Sequence, residues 1–507
     1  MGKQVYDFVI VGSGLGGLQC AYILADEGYS VCVLEKNHQI GGNLQVFSRD
    51  KVIFDTGVHY IGGLDKGQNL HQIFKYFNLM DKLHLLKMDE DRFDVISFYD
   101  DPNEYWFAQG YEKFAATLKR QFADEHAAID AYCAKMKEVC LRFPMYNLNF
   151  EESNYLEDDS LTVGAKEYID SLTSNEKLAA VLAGNNVLYA GEADKTPLYV
   201  HALVINTYIE SSYRCVDGGS QIAKYLSKQV HEMGGVVLKR KDVVSFEMVE
   251  GNIDAAVTSE GEKYYGKNFI SNAHPSSTLK LLPSGSIRKS YFNRISKLEN
   301  TVSTFVTHVV CKPNSFKYRN HNYYVHKDMD SVWGAVETKD FDLWPEGYML
   351  STPAHKNQGE YAKGVILLTY MSIDEMKPWL ETFNTVAKNG DRGEAYEAFK
   401  KMKEEKLLKI AAKKFPELND CIQSVHSSTP LTFRDYIGNL DGSLYGVVKD
   451  KNSPLRSFIT PKTKVPNLYF TGQNINLHGI LGVSISALVT CSEFMDKKYL
   501  IDKINNA

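Results

Sequence analysis

The chain has no Cys-x-x-Cys pair; its eight cysteines stand singly at positions 20, 32, 133, 140, 215, 311, 421 and 491. That spacing argues against a zinc ribbon or a dithiol redox site. Cys20 and Cys32 lie inside apolar runs, so the set reads as small buried hydrophobes of a reducing compartment. No uninterrupted apolar run reaches the roughly 18 residues that a spanning helix needs. The start, Met1-Gly2-Lys3-Gln4-Val5-Tyr6-Asp7, has no charged-then-apolar leader, and Tyr6 breaks the myristoylation pattern, so a cytoplasmic protein is expected. A net charge of −6 gives no reason to expect a nucleic acid or other polyanion as partner. His-Glu-x-x-His, Gly-x-x-x-x-Gly-Lys-Ser/Thr and Gly-x-Ser-x-Gly are all missing, which argues against zinc hydrolysis, phosphoryl transfer on a P-loop and a serine hydrolase elbow. No metal site is expected, and there is no internal repeat. What remains is ordinary for a globular protein, 44% hydrophobic and 24% charged, with room in 507 residues for two or three domains.

The first 35 residues hold a run of signals in register. Asp7-Phe8-Val9-Ile10-Val11 is short, apolar and β-branched, as a strand buried on both faces is. It enters Gly12-Ser13-Gly14-Leu15-Gly16-Gly17, then a helical stretch from Leu18 to Glu27 closed by Gly28. A second strand, Ser30 to Leu34, ends in Glu35. Each part has a mechanical reason: Gly12 makes the tight turn, Gly14 lets backbone approach a pyrophosphate, and Gly17 lets helix pack on strand. The helix N-terminus offers free N–H groups and partial positive charge to the phosphates, and Glu35 is placed to accept from ribose hydroxyls. A dinucleotide site follows.

Glu35-Lys36-Asn37-His38-Gln39-Ile40-Gly41-Gly42-Asn43 continues into a second paired-glycine turn. By itself that turn reads better as a simple surface turn. In context it resembles the flavoprotein family of amine oxidases, protoporphyrinogen oxidases and phytoene desaturases, where this segment lies along FAD; the resemblance makes FAD the expected cofactor, with Lys36, Gly42 and Asn43 beside it. Near the other end, the short strand Val465 to Phe470 leads into Thr471-Gly472-Gln473, then Gly479, Gly482 and a small-residue helix beginning at Val483. The same superfamily has such a segment against the ribityl chain and the flavin's pyrimidine edge, commonly with an acid where Gln473 stands. Gly472, Gln473, Gly482 and Val483 join Gly12, Ser13, Gly14, Gly17 and Glu35 as expected FAD contacts. A third piece, Asp217-Gly218-Gly219-Ser220 with its helix and strands to Ala273, follows the family order, in which Val243 and Val244 meet the adenine through backbone.

The resemblance therefore implies an α/β protein with a Rossmann-type, glutathione reductase-like FAD-binding domain assembled from residues 1–85, 205–290 and 425–507. Residues 86–204, mostly helical, and 291–424, carrying strands and a charged helix, would form an inserted α+β substrate domain. With no second Gly-x-Gly-x-x-Gly, a dedicated nicotinamide domain is not expected, and an external electron donor or acceptor is.

Phe54-Asp55-Thr56-Gly57-Val58-His59-Tyr60-Ile61-Gly62 is similar to the corresponding segment of retinol saturases and carotenoid isomerases. Gly442-Ser443-Leu444-Tyr445-Gly446 and Pro461 to Gln473 point the same way. The resemblance implies a hydrophobic polyene laid over the flavin, most simply saturated by a hydride from reduced FAD and a proton from the protein. Alternatives are cis–trans isomerisation, phytoene desaturase-type dehydrogenation, amine or porphyrinogen oxidation, and, from another class, a non-catalytic FAD-binding lipid carrier or scaffold. His59 and Tyr60 are the catalytic candidates, since histidine titrates near neutrality and suits a proton donor; His478 is a weaker one. His59 serving only to hydrogen-bond FAD or backbone is the competing reading. Peripheral membrane contact is a separate expectation, motivated only by the inferred substrate.

Overall fold

A computed structural model describes residues 4–150, 158–337, 340–386, 388 and 390–507. Strand β1 (Val5–Val11), helix α1 (Leu15–Asp26) and strand β2 (Val31–Glu35) realise the opening pattern. β1 and β2 pair in parallel through Phe8 to Val11. α1 buries eleven of its residues between sheet and C-terminus, which is why it shows no polar face. Glu27 caps that helix, and Gly28 follows with φ +83°, taking the left-handed conformation that ends it.

β1 lies near the middle of a seven-stranded sheet whose other members come from far along the chain. Val236–Lys239 pairs with β2, and Lys263–Ser271 pairs in parallel with β1 on one side and with Leu468–Phe470 on the other. Asn252–Thr258 and Val243–Val249 extend it as an antiparallel meander. The helix Gly479–Cys491 packs on α1, joining the two ends of the chain.

A second seven-stranded sheet runs Ile422–Ser428, Ser303–Cys311, Gly364–Met371, Gly347–Ser351, Asn322–His326, Asp94–Phe98 and Tyr105–Phe107. Asn322–His326 and Asp94–Phe98 pair in parallel, and its other neighbours are antiparallel. Its strand Ile422–Ser428 straddles residue 425, and the helices Leu198–Glu210 and Lys289–Ser296 straddle the expected borders near 205 and 290. Among its described residues the stretch 86–204 is mostly helical from Tyr111 onward, as expected, with Phe122–Glu125 separating the helices Tyr111–Gln121 and His126–Leu141. It also contributes two strands to the second sheet that the sequence pattern did not announce. Between the large sheets sits a small one, Ile61–Gly62, Ser212–Cys215 and Leu85–Lys87. All eight cysteines are buried and free, and no described helix is long and apolar enough to cross a membrane.

Ile10, the next-to-last residue of β1, is fully buried. Ile10→Ala is expected to destabilise the protein by about 2–5 kcal/mol, seen as a lower denaturant midpoint.

Candidate functional site

A cavity of about 410 Å³ runs from the glycine turns at the edge of the first sheet toward the second sheet. At its polar end, the two N-terminal turns are locked together: the Gly41 N–H donates to the Ser13 carbonyl at 3.0 Å, and Gly14 and Gly41 form a bridge. A Cβ on Gly14 would lie 2.5 Å from Asn272 Nδ2, and one on Gly472 2.5 Å from Asn272 Oδ1. Asn272, at the end of the central strand, is thus gripped by glycines from both chain ends. Side chains at those positions would push the turns apart.

Glu35 is buried, with Oε2 accepting from Ser13 N–H at 3.0 Å and Ser13 Oγ at 2.6 Å, and Oε1 from Asn37 N–H at 2.8 Å. These bonds fix the carboxylate on the cavity wall. Lys36 also lines the wall, and its Nζ donates to the Asp435 carbonyl at 3.0 Å; burial lowers its pKa against the pull of Glu35, Asp242 and Asp435.

Of the other expected cofactor contacts, Gly12, Gly14, Gly42, Asn43, Val243, Gln473, Gly482 and Val483 line the cavity. Four do not. Ser13 is turned behind the wall onto Glu35. Gly17 packs the helix on the turn, where a Cβ would lie 2.1 Å from the Gly12 carbonyl oxygen. Gly472 backs on Asn272, and the Val244 side chain points outward, 48% exposed, where the strand pairing shifts register between Val243 and Ser245. Asn272 also lines the cavity and was not singled out from the sequence. The signal was an asparagine directly after an apolar strand.

The far end is apolar, with Val187, Leu203, Val204, Met349, Leu368 and Leu477 on its walls. His59 and Tyr60 sit between the two ends. His59 is half-buried; its Nδ1 has no protein partner, and its carbonyl accepts from the Arg214 guanidinium at 3.4 Å. Burial, with the Arg214 charge adding, drives its pKa down to about 4. The ring is therefore neutral at pH 7, and the proton-donor role expected from an ordinary histidine pKa does not suit it. His478 is likewise held at about 4 by burial, with Nε2 3.0 Å from the Leu188 carbonyl.

Tyr60 is the better-connected group. Its hydroxyl donates to Asp94 Oδ2 at 2.9 Å and lies 2.7 Å from the Tyr324 hydroxyl, while its ring packs on Tyr208 at 4.4 Å. Asp94 accepts further from Asn185 at 3.2 Å and from Asn322 at 3.0 Å. Asn322 in turn accepts from Arg214 at 2.9 Å. Burial raises the Asp94 carboxyl to about 6, against the pull of Asn185, Asn322, Tyr60 and Arg214. Asp94 and Arg214 were not among the sequence candidates.

The buried histidines give an acid limb to stability. His478 has a folded pKa depressed from 6.5 to about 4, so between these values the unfolded chain binds the extra proton and stability falls as pH falls. His478→Asn is expected to remove its share, about 3 kcal/mol, of the loss between pH 7 and pH 4. The check is the unfolding free energy of both proteins at the two pH values.

A family model described as an NAD(P)-binding Rossmann-like domain matches residues 10–77. All-trans-retinol 13,14-reductase of Rattus norvegicus is 27% identical over 98% of this chain and 86% of its own length. Prolycopene isomerase 2, chloroplastic, of an Oncidium hybrid cultivar is 24% identical over 96% and 83%. Among solved structures, wild-type putrescine oxidase bound to putrescine superposes with a TM-score of 0.63 at 12% identity over the full length of both chains, which shows a dinucleotide-binding flavoenzyme fold. Likeness along almost the whole chain to both a retinol reductase and a prolycopene isomerase, on that frame, supports an oxidoreductase similar to the retinol saturases and carotenoid isomerases.

Proposed function

We propose that the protein binds FAD along the glycine turns and reduces one carbon–carbon double bond of a hydrophobic polyene in the apolar half of the cavity. The observation that carries this is the continuity of the cavity: one space joins a glycine-built, Glu35-bearing end to an apolar end, with Tyr60 at the junction. The polar end suits the cofactor's chemistry. Its glycines leave no Cβ between backbone and pyrophosphate, the start of α1 offers N–H groups, and the fixed Glu35 carboxylate accepts from ribose hydroxyls. Bound there, reduced flavin supplies a hydride equivalent.

The chain's own residues do the rest. The apolar walls lay out a long alkene and exclude water from it. The neutral His59 ring lines the cavity, with its buried Nδ1 unpartnered. Tyr60 is the hydroxyl placed to give a proton to one alkene carbon. Reducing equivalents come from an external donor. The prolycopene isomerase likeness supports a second use of the same site, rotation of a double bond with no net reduction.

Glu35→Ala is expected to weaken FAD binding about 10- to 100-fold, measured by flavin retained on purification and by titration of the apoprotein. The central test is an anaerobic single turnover of chemically reduced enzyme with a panel of polyenes, read by mass spectrometry and chromatography. A product heavier by one pair of hydrogens supports reduction. Unchanged mass with shifted retention means isomerisation, and a panel left intact overturns the substrate class. Tyr60→Phe should slow the reduction about 10²- to 10⁴-fold, and His59→Gln by less.

A further inference from the structure

Tyr60 alone is a poor acid. Burial pushes its phenol well above the usual range, and the facing Asp94 carboxylate raises it further. A proton leaving it unaided would strand a phenolate in a water-free pocket. The hydrogen-bond pattern carries a second difficulty. With Asp94 ionised, the single Tyr60 O–H is committed to Asp94 Oδ2 and does not point into the cavity. Both difficulties disappear when Asp94 holds a proton: the carboxyl O–H then donates to the Tyr60 oxygen, Tyr324 can donate to its other lone pair, and the Tyr60 proton is freed toward the substrate.

We propose that Asp94 and Tyr60 form a proton relay into the cavity, in which Asp94 re-supplies the phenolic proton as Tyr60 gives it up to the alkene. The inference rests on the polyene-reduction reading. The balance is simple. The Tyr60 O–H bond breaks and a C–H bond forms at one alkene carbon. The Asp94 O–H bond breaks and the Tyr60 O–H bond re-forms. The reduced flavin is the two-electron donor at the other alkene carbon. Asp94 is left as a carboxylate and later takes a proton from solvent. Tyr60 is the catalytic residue; Asp94, acting through it, is a positioning residue and proton reservoir.

The surroundings of Asp94 are built for both of its states. It opens the strand Asp94–Phe98, opposite Asn322 in the parallel register and Phe107 in the antiparallel one. Facing it are the neutral amides of Asn185 and Asn322, the phenols of Tyr60, Tyr208 and Tyr324, and the Arg214 guanidinium beyond Asn322. Among the described residues Arg214 makes no salt bridge. It holds Asn322 by its Oδ1, which obliges the amide to turn its N–H to Asp94 Oδ1. The carboxylate left after transfer is therefore bonded on Oδ1 and lies in the field of a cation, while Oδ2 remains the atom that exchanges with Tyr60.

Burial has lifted Asp94 to about 6, so its protonated fraction, and with it the relay, grows as pH falls through that value. The test measures the single-turnover rate with reduced, flavin-loaded enzyme against pH, alongside infrared spectra of the same proteins with no substrate present. Wild type is expected to show a rate rising as pH falls through about 6 and a protonated-carboxyl C=O band growing over the same range. Asp94→Asn should lose that band, slow turnover on the order of 10- to 100-fold and flatten the pH profile, with flavin retained. Tyr60→Phe should shift the band by removing its hydrogen-bond partner, and Asp94→Glu should restore part of the rate and a displaced pH profile. If wild type reduces the polyene while Asp94→Asn keeps its rate and pH dependence, the relay is wrong and the reduction reading stands. An absent wild-type band, which needs no folded variant to observe, also overturns the relay. If no polyene is reduced by wild type, the underlying reading fails and the relay falls with it.

Discussion

Arg214 puts a permanent charge where water does not reach, and the meeting of the small sheet with the second large sheet is organised around its needs. The guanidinium is 1% exposed. Removing such an ion from water costs several kcal/mol unless hydrogen bonds replace the lost shell. Replacement comes from the second sheet and its loops: Ser351 Oγ at 2.8 Å, Asn322 Oδ1 at 2.9 Å and the His321 carbonyl at 3.1 Å. Arg214 itself sits on the middle strand of the small sheet, whose edge strand Ile61–Gly62 directly follows His59 and Tyr60. One cation therefore sets where the segment carrying His59 and Tyr60 stands relative to the sheet carrying Asp94, Asn322 and Tyr324. Asp55 belongs to the same field: burial raises its carboxyl to about 7, against the Gly219 N–H at 2.8 Å and the Arg214 charge.

That field decides which residues can handle protons. An imidazole beside a buried cation cannot easily become a second cation, so His59 is kept neutral, and its use is that of a hydrogen-bonding ring. A carboxyl beside the same cation is held within reach of neutrality, because burial and the positive charge pull it in opposite directions. Acid chemistry in this cavity thus passes from the histidine, where its ordinary pKa would put it, to a hydroxyl backed by a carboxyl. The other polar groups nearby are tied to backbone: Tyr445 donates to the Val187 carbonyl at 2.9 Å and His478 meets the Leu188 carbonyl. Tyr60 differs in that its partner itself titrates.

What was legible in the sequence follows from the range of the interactions concerned. β1, α1 and β2 stand where their patterns put them, because each is specified by neighbours in sequence. The glycine turns were readable for the same reason, since a close approach of backbone requires the missing Cβ locally. Asp94 was not. It heads a five-residue strand in a stretch otherwise rich in helix formers, and its importance lies in Tyr60, Asn185 and Asn322, which are 34, 91 and 228 residues away. Arg214 looked like any arginine in a short polar strand, and only the fold shows that water is excluded from it. For Val243 and Val244 the expectation concerned backbone, and the fold adds only that the Val244 side chain faces outward.

The two ends of the cavity impose opposite demands, and the junction reconciles them. A dinucleotide needs exposed backbone N–H groups and fixed acceptors, which glycine turns and Glu35 provide. A long apolar ligand needs walls with no such groups, since each unpaired polar atom buried against hydrocarbon costs about 1–3 kcal/mol. Proton chemistry at the boundary must then proceed without a water channel through the apolar side. A chain of side chains already hydrogen-bonded to one another meets that requirement: it carries a proton by exchanging partners, keeps every member paired before and after, and leaves the hydrocarbon wall intact. Tyr60 and Asp94 form such a pair, with Asn322 and Arg214 holding the carboxyl in place from the second sheet and its neighbouring strand. In this geometry the second sheet does more than shape a pocket; it carries the carboxyl that backs the Tyr60 hydroxyl.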